Sequence, residues 1–272
     1  MKLMSFTKNG ITGFGAINGD SVMDFSHKFK DLKTMLASGS TLKEGNLIPL
    51  VEVNYLPVIP NPEKIICVGV NYASHIAEMG REPGEFPLLF TRFANSQVGH
   101  NEPMLVPKES EKFDYEGELA LIIGKSGKRI CENKAMNYIA GYSCYNDGSV
   151  RDWQRHTSQF TAGKNFTGTG GFGPWMVSSD EINDPSELQI ETRLNGTVMQ
   201  SAPISDLVFN VPKLIAYIST FTELEPGDVI ITGTTGGVGA ARNPPVWMKA
   251  GDTVEVEISN IGTLVNPIHN AN

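Results

Sequence analysis

The run Asp114-Tyr115-Glu116-Gly117-Glu118-Leu119-Ala120-Leu121-Ile122-Ile123-Gly124 constrains this chain more than any other stretch. Its apolar segment, Leu119 to Ile123, stops at a glycine and reads as a buried strand. Glu116 and Glu118 stand two residues apart where that strand begins, and side chains at this spacing point to one face. Two carboxylates about 6 Å apart repel by about 3 kcal/mol at an effective dielectric near 20. A fold keeps such a pair partly buried only with a cation or a proton beside it. Oxygen donors so arranged suit a hard divalent ion such as Mg²⁺. The plainer reading is two solvated residues on an exposed strand edge.

A second acidic patch follows the apolar stretch Tyr138 to Tyr145. In Asn146-Asp147-Gly148-Ser149-Val150-Arg151-Asp152-Trp153-Gln154, Asp147 sits at a strand end before a Gly-Ser turn signal. A third carboxylate there would complete a facial set of oxygens and leave positions open for water or substrate, which the spacing alone does not prove. The alternative is a surface turn.

The chain divides once. Residues 1–60 hold short strand-like pieces (Leu3–Phe6, Ile11–Ile17, Ser21–Phe25) and a helix over roughly Lys28 to Ala37. Pro57, Pro60 and Pro62 form a connector. Residues 61–272 carry strand signals at Ile65–Val70, Leu88–Phe93, Leu119–Ile123, Leu188–Leu194, Val229–Thr232 and Thr253–Ile258. The clearest helical pattern is Val211 to Phe221, with Pro212 suited to a first turn. Many strands with few helices between them argue against a doubly wound parallel sheet and for a β-rich α+β fold.

Composition narrows the function. The 22 Lys and Arg against 30 Asp and Glu give a net charge of −8, which disfavours nucleic acid or an anionic membrane surface as partner. No run of 18 apolar residues spans a bilayer. The first residues lack an apolar segment with a cleavage site, so no export signal is expected. The three cysteines, Cys67, Cys131 and Cys144, form no CxxC pair and read as reduced thiols of a cytoplasmic protein.

Taken together, the motifs resemble the fumarylacetoacetate hydrolase family from about Pro62 to Asn266. They run in family order. Lys64 to Tyr72 with His75 and Glu78 comes first, then Asp114 to Glu118, Asn146-Asp147 with Arg151-Asp152, and Gly163-Lys164 with Gly173-Pro174-Trp175. Asn195-Gly196 with Gln200 follows, then Pro226 to Ile230 with Thr232-Gly233-Thr234, and Gly251-Asp252 with Asn266. The resemblance implies a mixed β-sandwich roll with a small N-terminal domain, and a homodimer. It implies that Glu116, Glu118 and Asp147 bind a divalent metal, usually Mg²⁺ and sometimes Mn²⁺ or Ca²⁺.

Roles for further residues follow. His75 and Glu78 share a face if helical, and a carboxylate beside an imidazole orients its tautomer. Gly80 to Pro87, rich in Gly and Pro, suits a lid over a site. Lys164 stabilises a developing enolate in the family's manner. The family commonly has Asp where Thr167 stands, which leaves the partner of Lys164 open. Arg92, Arg151 and Gln154 are candidates for a substrate carboxylate or diketone oxygen, and Arg151 equally for a structural ion pair, with Asp152. Thr234 is a candidate hydrogen-bond donor to substrate. The run Gly233 to Gly239 lacks the ending and the ribose-binding acid of a phosphate loop, and that reading is rejected.

The expected reaction is hydrolysis of a C–C bond in an acylpyruvate-type 2,4-dioxo acid through a metal-stabilised enolate. His75, oriented by Glu78, activates the water. The same logic serves oxaloacetate decarboxylation, isomerisation of an unsaturated 2-oxo diacid, or dehydration of a 3-deoxy sugar acid. A non-enzymatic metal-binding module is the reading from another class.

Overall fold

The computed structural model describes residues 1–40, 42–80 and 82–272. Among these, one sheet of twelve strands carries the fold. At its centre lie Ile139–Asp147, Gly117–Ile123 and Val229–Thr234, paired antiparallel in that order. Every residue of Gly117–Ile123 is buried, which accounts for its unbroken apolar sequence. Strand Ile65–Gly69 continues the sheet parallel to Val229–Thr234, so the sheet is mixed. The N-terminal strands join it directly, because Lys2–Lys8 pairs with Gly170–Ser178 through Leu3 and Met176.

A second sheet of five strands runs Thr197–Pro203, Gln189–Leu194, Thr253–Ile258, Gly262–Asn270 and Met104–Val106. The main core lies between the sheets and beneath helix Val211–Phe221, with Leu119, Leu121, Ile190, Leu214, Val256 and Ile258 in one cluster. A second cluster fills the space under the N-terminal helix, where Leu32 packs with Phe14, Ile122 and Ile231. That helix begins at Leu32 rather than near Lys28, because the Asp31 carboxylate accepts the Thr34 N–H and caps it.

Gly117 explains the spacing of the Glu-Gly-Glu motif. A Cβ at this position would stand 2.0 Å from Thr192 Oγ1 of the second sheet. The two sheets meet there, backbone against side chain, directly beneath the two glutamates. Gly117→Ala is expected to destabilise the fold by about 1–3 kcal/mol through overpacking. Thermal or denaturant unfolding checks this, and an unchanged midpoint would mean that the sheets have slack at Gly117.

Candidate active site

Two neighbouring strands bring the carboxylates together. Gly117 pairs with Asn146, and the Asp147 N–H donates to the Glu116 carbonyl at 2.8 Å. The Asn146 side chain accepts the Glu116 N–H at 3.0 Å, so the acidic corner is locked from both strands. Glu116, Glu118 and Asp147 are 5%, 2% and 0% exposed, and one oxygen from each lies within 4.8 Å of the others. The sequence Asn146-Asp147-Gly148-Ser149 is therefore no surface turn. Gly148 is required by close approach, since a Cβ there would meet the Thr169 carbonyl oxygen at 2.1 Å.

Three cations hold these acids. Lys164, at the end of the short helix Thr161–Lys164, places its ammonium 2.5 Å from both Glu116 Oε2 and Asp147 Oδ2. Arg151 binds Asp114 at 2.8 Å and lies 2.7 Å from Glu116 Oε1. Arg92 binds Asp147 Oδ1 at 2.6 Å from behind. Its remaining donors go to Ser96, Thr169 and the Gly148 carbonyl. Arg92 was expected to meet substrate; its guanidinium is wholly buried with all three nitrogens hydrogen-bonded inside the protein, and it holds Asp147. Arg151 pairs with Asp114 and Glu116 rather than Asp152, and also donates to Gln154 Oε1 at 3.0 Å. Exposed Thr167 takes no part in anchoring Lys164, so the departure from the family pattern leaves the ammonium held.

Glu118 has no such partner. Among the described residues it accepts only the Gly233 N–H, at 2.6 Å. Burial, then the charges of Asp147 and Glu116, push its carboxyl well above the usual range. For Glu116, burial works upward, but Arg151 and then Lys164 outweigh it and hold the group at about 2. With all four carboxylates ionised, the cluster among the described residues is one positive charge short, and in the absence of a cation the proton on Glu118 makes up the difference. Four buried carboxylates, Asp114 included, face three cations. Three converging hard oxygens with an uncompensated charge fit a divalent cation.

The run Gly233 to Gly239 works as a carboxylate-holding loop. Gly233 N–H binds Glu118, Gly237 N–H binds Glu78 at 2.9 Å, and the N–H groups of Gly239 and Ala240 bind Asp114 at 2.8 and 2.9 Å. Thr234, expected to donate to substrate, spends its hydroxyl proton on the Gly117 carbonyl at 3.0 Å and accepts from Gln200 at 2.8 Å. It still lines the cavity.

His75 and Glu78 lie on helix Ala73–Glu78, as their spacing implied, with His75 Nδ1 3.1 Å from Glu78 Oε2. Asn71 pins this helix to the sheet through the Thr232 carbonyl at 2.8 Å, and Ser74 binds Asp206 at 2.7 Å. Val70, just before, takes a left-handed φ of 56°, strained for a β-branched residue, and faces the cavity. Of the expected lid, Gly80 to Pro87, Arg81 lies outside the described residues.

His75, Glu78, Glu116, Glu118, Asp147, Arg151, Gln154, Lys164 and Thr234 all line one cavity of about 380 Å³. Phe90, Phe160, Val238 and Ala240 supply an apolar wall, and Arg155 also borders it. Sequence reasoning missed Asp114 as an ion-pair partner, the loop amides, Phe160 and Arg155. Asp114 alone carried a signal, through its place in the acidic motif.

A mixed β roll with three buried carboxylates converging on one cavity has the build of an enzyme with an acidic pocket. The family model described as Fumarylacetoacetate (FAA) hydrolase C-terminal matches residues 64–269, and the chain belongs to that family. A mitochondrial oxaloacetate tautomerase of Xenopus laevis is 44% identical over 218 residues, 79% of this chain and 68% of the relative. The solved fumarylacetoacetate hydrolase of Exiguobacterium antarcticum superposes over the full length of both chains with a TM-score of 0.90 and 34% identity. Maleylpyruvate hydrolase of Sphingobium, solved with manganese(II) and pyruvate, does so with a TM-score of 0.81 and 26% identity. No helix among the described residues is long and apolar enough to cross a membrane.

The raised Glu118 carboxyl has a thermodynamic consequence. In chelator-treated protein the folded state holds this proton above the pH at which the unfolded chain, near pH 4.3, releases it. Stability is therefore lost as pH rises past that value. Glu116 acts oppositely, its stabilisation being present above that pH and lost as pH falls toward about 2. Glu118→Gln should melt higher than the parent at pH 8 without metal, and should lose the rise in melting temperature that Mn²⁺ or Mg²⁺ gives the parent. A variant that melts lower without metal and is still stabilised by the ion would contradict this account.

Proposed function

We propose that this enzyme interconverts the keto and enol forms of a 2-oxo acid, with oxaloacetate the first substrate to test. The observation that carries the reading is one cavity lined both by the His75–Glu78 pair and by three converging buried carboxylates. The name of the Xenopus relative supports tautomerisation as the reaction.

A divalent ion held by Glu116, Glu118 and Asp147 would supply Lewis acidity toward the 2-oxo acid's oxygens. Mg²⁺ is our first choice, and the manganese of the Sphingobium enzyme makes Mn²⁺ the second. The rest of the chemistry belongs to the chain. Glu78 is fixed by the Gly237 N–H on one oxygen and meets His75 Nδ1 with the other. With the carboxylate accepting, Nδ1 carries the proton and Nε2 presents a lone pair. In the keto-to-enol direction that nitrogen takes a proton from the carbon beside the 2-oxo group, and the resulting imidazolium delivers it to the 2-oxo oxygen; the reverse direction moves the proton from oxygen back to carbon. Lys164 keeps positive charge beside the developing enolate. Phe90, Phe160 and Val238 give the carbon chain an apolar wall.

Hydrolysis of an acylpyruvate C–C bond is the second reading. The same imidazole handles a water proton, and a hydrolase of this fold has been solved with pyruvate. Release of pyruvate and a second acid distinguishes it from tautomerisation, which leaves the carbon skeleton whole. A homodimer also stands as a proposal. The exposed aromatic group Phe86, Tyr217 and Phe221 is an apolar surface of the kind that partners cover. Sedimentation at the monomer mass would remove it. The cytoplasmic location inferred from the sequence is a proposal beside a relative named mitochondrial, and cell fractionation tests it.

The assay follows decay of enol absorbance and proton exchange beside the 2-oxo group, with Mg²⁺ or Mn²⁺ present. His75→Ala should lower kcat by about 10²–10⁴-fold, with metal affinity within about twofold, because His75 is not a ligand. Activity close to the parent's would remove His75 from the mechanism. No turnover of any 2-oxo acid by metal-loaded parent would end the reading itself.

A further inference from the structure

We propose that Arg155 sets substrate class by receiving the distal carboxylate of a dicarboxylic 2-oxo acid, an inference that rests on the reading of the site given above. The cavity is graded from floor to mouth. Its floor is the buried charge cluster, where Arg92, Arg151 and Lys164 are committed to carboxylates. Its wall is apolar, with Phe90 and Phe160 in edge contact at 5.7 Å between centroids. Arg155 borders the same cavity yet is exposed, and among the described residues its side chain makes no ion pair and no hydrogen bond.

Its position follows from the local fold. Arg155 closes the short helix Arg151–Gln154, its N–H bonded to the Asp152 carbonyl at 3.0 Å. It stands four residues beyond Arg151, so the two lie on neighbouring parts of one face. Arg151 turns inward to Asp114 and Gln154, and Arg155 is left at the solvent side.

A 2-oxo acid anchored at the floor by its 2-oxo carboxylate end presents its far end to the mouth. A second carboxylate there would face an apolar wall and the Glu78 carboxylate. Arg155 is the cation lining the cavity that no acid among the described residues already holds. Its planar fork matches a carboxylate in two bonds. An uncharged far end gains nothing from it. Since water screens an exposed arginine, the effect is on binding of one substrate class and not on the chemical step.

The test compares parent, Arg155→Gln and Arg155→Lys, each loaded with Mn²⁺. The substrate is a dicarboxylate that the parent turns over, oxaloacetate or fumarylpyruvate. Pyruvate, which has no distal carboxylate, is measured through its inhibition constant. Arg155→Gln should raise KM for the dicarboxylate about tenfold, with kcat and the pyruvate inhibition constant within about twofold of the parent. Arg155→Lys should recover part of the loss, because it restores charge without the fork. An unchanged KM, or an equal loss of pyruvate affinity, overturns the inference while leaving the 2-oxo acid reading intact. A parent that turns over neither dicarboxylate but does turn over a monocarboxylic 2-oxo acid overturns the inference alone, and a parent that turns over no 2-oxo acid overturns both.

Discussion

The structure depends on the neutralisation of buried negative charge. Four carboxylates, Asp114, Glu116, Glu118 and Asp147, sit at the heart of the larger sheet with almost no access to water. Ionised carboxylates in such a place cost several kcal/mol each unless paired and hydrogen-bonded. Arg92, Arg151 and Lys164 come from three separate parts of the chain to meet them. The helix carrying Lys164, the helix carrying Arg151 and the segment after strand Leu88–Thr91 therefore all have their positions tied to the same cluster. The carboxyl that no cation among the described residues meets is Glu118, and this is the feature that turns an ion-pair network into a candidate cation site.

Backbone amides complete the neutralisation. The loop Gly233 to Ala240 reaches Glu118, Glu78 and Asp114 with four N–H groups. A glycine-rich run can approach closely because no Cβ stands in the way, and Gly239 needs this, since a Cβ there would lie 2.0 Å from the Val246 carbonyl oxygen. The same composition in a nucleotide-binding protein would cradle phosphate. Here the anions are the protein's own, and one of them, Glu78, orients the histidine. The loop thus couples the acidic cluster to the His75–Glu78 pair through a single stretch of chain.

Legibility in the sequence followed locality. The Glu-x-Glu spacing at Glu116 and Glu118, the strand end at Asp147 and the three-residue step from His75 to Glu78 are local patterns, and the geometry reproduced each of them. Arg92 binds Asp147 in the interior, Thr234 spends its hydroxyl proton within the protein, and Arg151 forms the ion pair weighed for it with different acids, because a side chain with several donors takes whichever acceptors the fold brings near. Arg151 had Asp152 next to it in sequence, but bonded to Asp114 and Glu116 across a strand pairing. Phe160 and Arg155 carry no motif, and only their placement on the cavity reveals them.

By itself the sequence determined the strand-rich class, the main core strands, the Glu116–Glu118 spacing and the His75–Glu78 step, since periodicity and short spacings act within one element; Asp147 joined the two glutamates only through the family resemblance. The tertiary structure decided how the first sixty residues join the larger sheet and which cations are consumed by the acidic cluster. It also decided which arginine remains at the mouth. Those outcomes turn on pairings between different elements of the chain, such as Leu3 with Met176 and Gly233 with Glu118. Charge compensation in a buried site depends on distance in space, and composition carries no record of that distance.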